Sequence, residues 1–295
     1  MDSSQPPEPV VAHFGDEGMR RYSEAALAEA VLPQEEARAA LVATGVPVAV
    51  APYFRAVPRG EPTTLHGHAV RSGAPLPPAQ LGRWLLLGDD RGAQLCVRPD
   101  GAVQAVVLSE VVPDMYVNSS VAALNGSLLA LDRALPRIVA ADGLERAAAV
   151  FAELNEHLRE LDAPAFADRE SWWPRVLDDL RHTLNFPFSA AFEFRTPSGG
   201  TEIVTDTAGP GQPHPEEQLW QRLSTSGVRP QQVTRIYCEL EPCLMPGHYC
   251  AVWMQELFPH AQFTHSHDYG VTAQSREEGF KELIVAAARQ ARDGQ

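Results

Sequence analysis

The chain has 295 residues, 44% of them hydrophobic, which is material for one large domain or two of ordinary size, and two is the reading adopted. Its net charge of −14 excludes capture of nucleic acid by a broad basic surface, while leaving room for a local basic groove. The start, MDSSQPPEPVVAHFGDEG, lacks the basic-then-apolar pattern of a signal peptide, and no apolar run approaches the roughly 18 residues of a membrane span, so a cytoplasmic protein with no membrane partner is expected.

In chain order, the first sixteen or so residues read as a loose tail. From Met19 to Ala43 apolar residues recur at helical spacing, with Pro33 dividing the run into two helices. The stretches GVPVAVAPYFRAV and PRGEPTTLHGHAVRSGAPLPPAQ are rich in proline and glycine and predict short strands joined by loops rather than helix. RWLLLGDD, AQLCVRPDG and AVQAVVLSE follow, three short apolar stretches separated by Gly-Asp and Asp-Gly turns, the pattern of an antiparallel meander. After VNSS, read as an N-cap, the run from Val121 to Leu161 is helical with interruptions near Pro136 and Gly143. In ELDAPAFADRESWWPRV the composition shifts to Asp, Ala and Pro, which places a boundary near residue 165 and gives domains 1–165 and 166–295. Strands lying between helices imply an α+β first domain.

This half is similar to the SUKH immunity-protein superfamily of bacterial toxin systems, through FGDEGMRRY, TGVPV before YFRAV, the RWLLLGDD to LCVRPDGAV meander and YVNSSVAALNGSLLAL. Those are scaffold motifs. The resemblance implies a module that binds or neutralises a protein partner, a toxin or effector, and it supplies no catalytic group.

The second half changes rhythm. SWWPRVLDDLRHTL predicts a helix, FPFSAAFEFR and TEIVTDTA a hairpin turning at TPSGG, and HPEEQLWQRLSTSG a helix closed by Gly227. A strand VTRIYCEL, a turn EPCLMPG, a helix HYCAVWMQELF, a strand AQFTHSHDYG and a last helix REEGFKELIVAAARQ complete it. A partly parallel sheet covered by helices is the economical architecture.

His214 and Glu216 open one of these helices, and Pro242-Cys243 and Cys250 flank the start of the next. Zinc deaminases present His-x-Glu and then Pro-Cys-x-x-Cys in this order, with one His and two Cys as ligands and a glutamate that moves protons without touching the metal. Three protein ligands leave one position of a tetrahedral zinc for water and bring the pKa of that water to about 7. A His near a helix start followed by Glu is common, and isolated cysteines are often plain core residues. The conjunction and the order carry the signal.

The half thereby resembles the cytidine-deaminase-like superfamily, and within it the deaminase domains of bacterial polymorphic toxins, through HPEEQL, VTRIYCELEPC, PGHYCA and FPHAQFTHSHDYG. The resemblance implies a three-layer α/β/α domain, Zn²⁺ held by His214, Cys243 and Cys250, and Glu216 as proton shuttle. In one departure the cysteines are separated by six residues, Leu244 to Tyr249, instead of two. Cys238 is a conceivable substitute ligand, and Glu217 is expected to face solvent. Asn185 and Phe186, in a loop before the first strand, Tyr249 beside the second cysteine, and His265 and His267, alternating on the last strand, are candidates for substrate contact. Phe188 and His248 are further possibilities.

Two functions stay open at this point. One is a zinc-dependent deaminase of cytosine, in nucleic acid (DNA favoured) or in a nucleotide. The other is a non-catalytic immunity or adaptor protein that binds and neutralises a toxin. From residue 170 onward there are ten basic and sixteen acidic residues, so a nucleic-acid substrate requires a local arginine track such as Arg195, Arg222 or Arg235.

Overall fold

The computed structural model describes residues 9–31, 35–109 and 112–293. It divides into two compact units, residues 1–140 with 149–174 and residues 141–148 with 175–295. Among the described residues no helix is long and apolar enough to cross a membrane.

The first unit is built on a six-stranded sheet that contains the expected three-stranded meander. Its six strands, Ala49–Val50, Phe54–Ala56, Leu85–Asp89, Gln94–Val97, Val103–Val106 and Met115–Asn118, lie side by side in chain order and every pairing is antiparallel. Leu85, Leu87, Leu95, Val97, Val103 and Val117 are fully buried. The helix Val121–Val139 contributes Leu124, Leu128 and Leu131 to the core and starts where VNSS predicts, with Ser120 Oγ accepting the Ala123 N–H at 3.1 Å. Pro136 stays inside this helix, and the break comes before Leu144–Leu161, at Gly143.

Three local expectations need correction. Pro9–Phe14 is a helix rather than tail, and residues 1–8 lie outside the described residues. Met19–Arg20 is a strand paired with Val46–Pro47, and the helix starts only at Glu24, where Ser23 Oγ accepts the Ala26 N–H; Pro33 lies outside the described residues. Leu65–Ser72 is a helix inside the stretch read as strands and loops. Its caps were the missed signal: Thr64 Oγ1 accepts the Gly67 N–H, and Gly73 closes the last turn in the left-handed region.

The adjacent tryptophans of SWWP are fully buried and anchored on buried polar groups of this unit. Trp172 Nε1 donates to Asp90 Oδ2 at 2.7 Å and Trp173 Nε1 to Asn118 Oδ1 at 2.9 Å, while Asn118 Nδ2 donates to Asp162 Oδ2. Trp173→Ala is expected to lower unfolding free energy by about 3–5 kcal/mol, because it opens a cavity and strips Asn118 of its donor. Denaturant unfolding checks this; a loss under about 1 kcal/mol contradicts the anchoring role.

The second unit has a four-stranded sheet in the order Thr201–Thr207, Ser189–Arg195, Val233–Leu240, Gln262–His267. The first three strands pair antiparallel and the last runs parallel to Val233–Leu240. The parallel pair needs a crossover, and the helix Cys250–Leu257 supplies it. Pro215–Thr225 packs on the hairpin and Ala273–Asp293 on the parallel pair. The α+β plus α/β expectation holds, and each second-half element appears in the predicted order.

Candidate metal centre

The turn from Glu241 to Tyr249 follows the C-terminal end of Val233–Leu240, where open α/β sheets bind their ligands. Cys243 lies in this turn and Cys250 is the first residue of the next helix; the Ala251 N–H donates to the Cys243 carbonyl at 3.0 Å, which draws the two cysteines together. Gly247, at φ 84°, and Tyr249, at φ 44°, both in the left-handed region, fold the six intervening residues back on themselves. His214 is the N-cap of Pro215–Thr225.

His214 Nδ1 lies 3.5 Å from Cys243 Sγ and 3.6 Å from Cys250 Sγ. One donor atom from each of the three residues falls within a 4.8 Å group, and all three residues are buried. A tetrahedral zinc with bonds of about 2.3 Å to sulfur and about 2.05 Å to nitrogen holds two such atoms about 3.6 Å apart, so the donor set fits that ion. Cys238, buried in its strand, is not among the three donors. Glu216 is 3% exposed, and its Oε2 lies 4.0 Å from Cys250 Sγ, beside the cluster rather than within it. Burial raises the Glu216 carboxyl above its usual range although the His214 imidazole pulls it down. Burial also pushes the Cys243 thiol up, but hydrogen bonding with Cys250 and the adjacent His214 win and hold it well below its ordinary value. Thiolate is the form that binds metal.

Glu217 does not face solvent. It is 8% exposed, its Oε2 accepts the His214 backbone N–H at 2.9 Å, and the same atom lies 2.6 Å from His248 Nδ1. The expectation treated Glu217 as one more acidic residue in a first helical turn; its position three residues after the N-cap instead makes it reach back, as a capping-box glutamate does. His214 Nε2 bonds Asp179 Oδ1 at 2.9 Å, and His248 Nε2 lies 3.2 Å from Asp179 Oδ2. Burial raises Asp179, yet the two imidazoles outweigh it and hold the carboxyl far below its usual range. Burial and His214 lower His248, while Asp179 and Glu217 raise it more, up to about 9. Glu217→Ala removes one carboxylate from this buried cluster and leaves an N–H unpaired. It is expected to cost about 3–5 kcal/mol of stability in excess chelator, where metal binding does not contribute, and a loss under about 1 kcal/mol contradicts the burial of its charge.

Asp179 was missed although a signal existed: in the helix Trp172–Asn185, Asp179 and His182 occupy the buried phase set by Val176 and Leu180. His182 Nδ1 lies 2.6 Å from the Tyr269 hydroxyl, and its ring stacks on Phe280. The Tyr269 and Gly270 N–H groups both donate to Glu241 Oε2, and Gly279 lets Asp268 approach so closely that a Cβ would fall 1.8 Å from its carbonyl oxygen. Tyr269, Glu241, Phe188, His182 and Leu240 thus close a cavity of about 10 Å³ against Glu216 and Cys243, room for about one water. Phe188 meets the His214 ring edge-on at 5.8 Å.

The substrate candidates are dispersed. Asn185 is the exposed last residue of its helix rather than part of a loop, and Phe186 packs against the core. Tyr249 is buried directly before Cys250. His265 is exposed and pairs with Asp268, and His267 is half-buried; both lie on the edge strand. None of the five lines the cavity.

A hairpin leading into a parallel pair, a His-x-Glu helix start, and two cysteines, one in the turn before the next helix and one at its start, define the second unit as a deaminase domain. Residues 187–286 match the Xanthomonas-like deaminase family. The SUKH-4 immunity protein family matches residues 5–179, more than half of the sequence, and the chain belongs to that family. It joins an immunity-type domain to a deaminase domain in one polypeptide. Neither the curated proteins nor the solved structures contain a match to it.

Proposed function

We propose that the chain is a zinc-dependent hydrolytic deaminase acting on cytosine, in nucleic acid and preferentially DNA, joined near residue 165 to a SUKH-type module that binds a toxin or effector protein in the cytoplasm. The observation that carries this reading is the approach of His214 Nδ1 to two thiols at 3.5 and 3.6 Å, with a buried carboxyl alongside that is not one of the three donors. Zinc held there supplies Lewis acidity and lowers the pKa of water to about 7. Glu216 takes a proton from the attacking water, delivers it to the ring nitrogen next to the reacting carbon, and then passes a proton to the departing amine, so that cytosine and water become uracil and ammonia. Phe188 and Leu240 line the cavity beside the carboxyl, and its burial maintains its raised proton affinity.

A base is larger than the cavity of about 10 Å³, so its entry requires the lining to rearrange. Asn185, Phe186, His265 and His267 are assigned to contacts outside the cavity, with nucleotides that flank the target, and Tyr249 to walling the cysteines. Arg222 pairs with Asp206 and Arg235 with Glu193, so phosphates must compete for both arginines, and binding is expected to weaken steeply with salt.

The small cavity and these paired arginines favour the second reading, an adaptor that neutralises a toxin without catalysis. Incubating zinc-loaded protein with single-stranded DNA, duplex DNA, RNA and free cytidine, and measuring uracil and ammonia, separates the two. Uracil from any of them, DNA first, is the expected result. Stoichiometric zinc with no uracil from any substrate overturns the catalytic reading in favour of the adaptor.

A further inference from the structure

The six-residue spacing between Cys243 and Cys250 departs from the short spacing of the deaminase pattern, and the extra chain places one imidazole inside the protein. His248 is 1% exposed, and its ring lies face to face with that of His214, centroids 3.7 Å apart and planes within 5°. The two rings share both carboxylates: Asp179 Oδ1 meets His214 Nε2 while Oδ2 faces His248 Nε2, and Glu217 Oε2 takes the His214 backbone N–H and His248 Nδ1. His214 is thus held in plane by the stacked ring, along its Nε2 direction by Asp179, and at its backbone by Glu217.

We infer that His248 is a positioning residue, a parallel plate that fixes the rotation of the His214 ring and keeps Nδ1 aimed at the point shared with the two cysteines. The inference rests on the zinc reading proposed above. A ligating imidazole is commonly steered by a carboxylate on its other nitrogen, as Asp179 does here. A second imidazole on the opposite arm of the same carboxylate adds a constraint: rotating the His214 ring breaks the stack as well as the Asp179 bond. It also gives the long turn a use, because the extra residues carry His248 to 3.2 Å from Asp179.

The test compares full-length wild type, His248→Ala and His248→Gln by zinc competition against a chromophoric chelator and by the visible spectrum of the cobalt(II)-substituted proteins. His248→Ala is expected to weaken zinc binding about 10–100-fold and to shift the ligand-field bands. Gln retains an N–H in the Nε2 position and is expected to recover part of both. Circular dichroism in excess chelator confirms folding, and should the Ala protein fail to fold, the Gln protein carries the comparison. Wild type that takes up no zinc overturns the parent reading and this one with it. Zinc-binding wild type beside folded variants with unchanged affinity and unchanged cobalt spectra overturns the positioning role alone.

Discussion

Glu216→Gln is expected to keep one zinc per chain while deamination falls by about 10²–10⁴-fold. The substitution preserves volume and a polar terminus, so neighbouring Cys238 and Cys250 keep their packing, but an amide can neither accept nor return a proton at neutral pH. The prediction separates two ways of using a carboxylate beside a metal. Glu216 Oε2 lies 4.0 Å from Cys250 Sγ, and Glu216 belongs to neither buried three-donor group among the described residues, His214 with Cys243 and Cys250 or His214 with Asp179 and His248. A ligand would take the zinc with it when removed, and a shuttle would not. Turnover on DNA together with metal analysis checks both sides. If zinc is lost with activity, Glu216 is a ligand; if activity survives, the proton moves through another group.

Cys243→Ala is expected to abolish both zinc retention and activity, and to remove the stabilisation that zinc confers. Anything that binds only the folded chain stabilises it by mass action, about 4 kcal/mol when the free ligand stands 1,000-fold above its dissociation constant. Wild type should therefore unfold at a distinctly higher temperature with zinc than with chelator, and the Ala protein at one temperature in both. Metal binding also requires shed thiol and imidazole protons, so the zinc-dependent increment should shrink as pH falls. An equal increment in wild type and Cys243→Ala would show that zinc stabilises the chain elsewhere.

The parts of the site that were legible in the sequence are those fixed by local rules. His214 and Glu216 share a helix start, Pro242-Cys243 follows a strand, and Cys250 opens a helix, so the order of motifs already implies their convergence at one end of the sheet. The meander of the first unit was legible for the same reason, since its short apolar stretches are separated by turn residues such as Asp100-Gly101, although Gly88-Asp89 falls inside a strand and the turn comes just after it. What could not be read was pairing across long separations. Nothing near Asp179 in the chain says that its partners are 35 and 69 residues away, and nothing in PGHYCA says that His248 stacks on a ring rather than facing a substrate. Glu217 was misjudged because a first-turn acid usually complements the helix dipole, and only the burial of the whole helix start converts it into an internal bond. Caps decided the misses in the first unit: Thr64 and Gly73 enclose a helix that its proline- and glycine-rich flanks concealed.

The expectations for Glu216→Gln, Cys243→Ala and the His248 variants depend on three buried donors sharing one zinc. X-ray absorption at the zinc edge of the purified full-length chain reads that environment directly. The expected first shell holds two sulfurs at about 2.3 Å and one nitrogen at about 2.0 Å, with one further light atom. Zinc surrounded only by nitrogen and oxygen, or by four sulfurs, would contradict it.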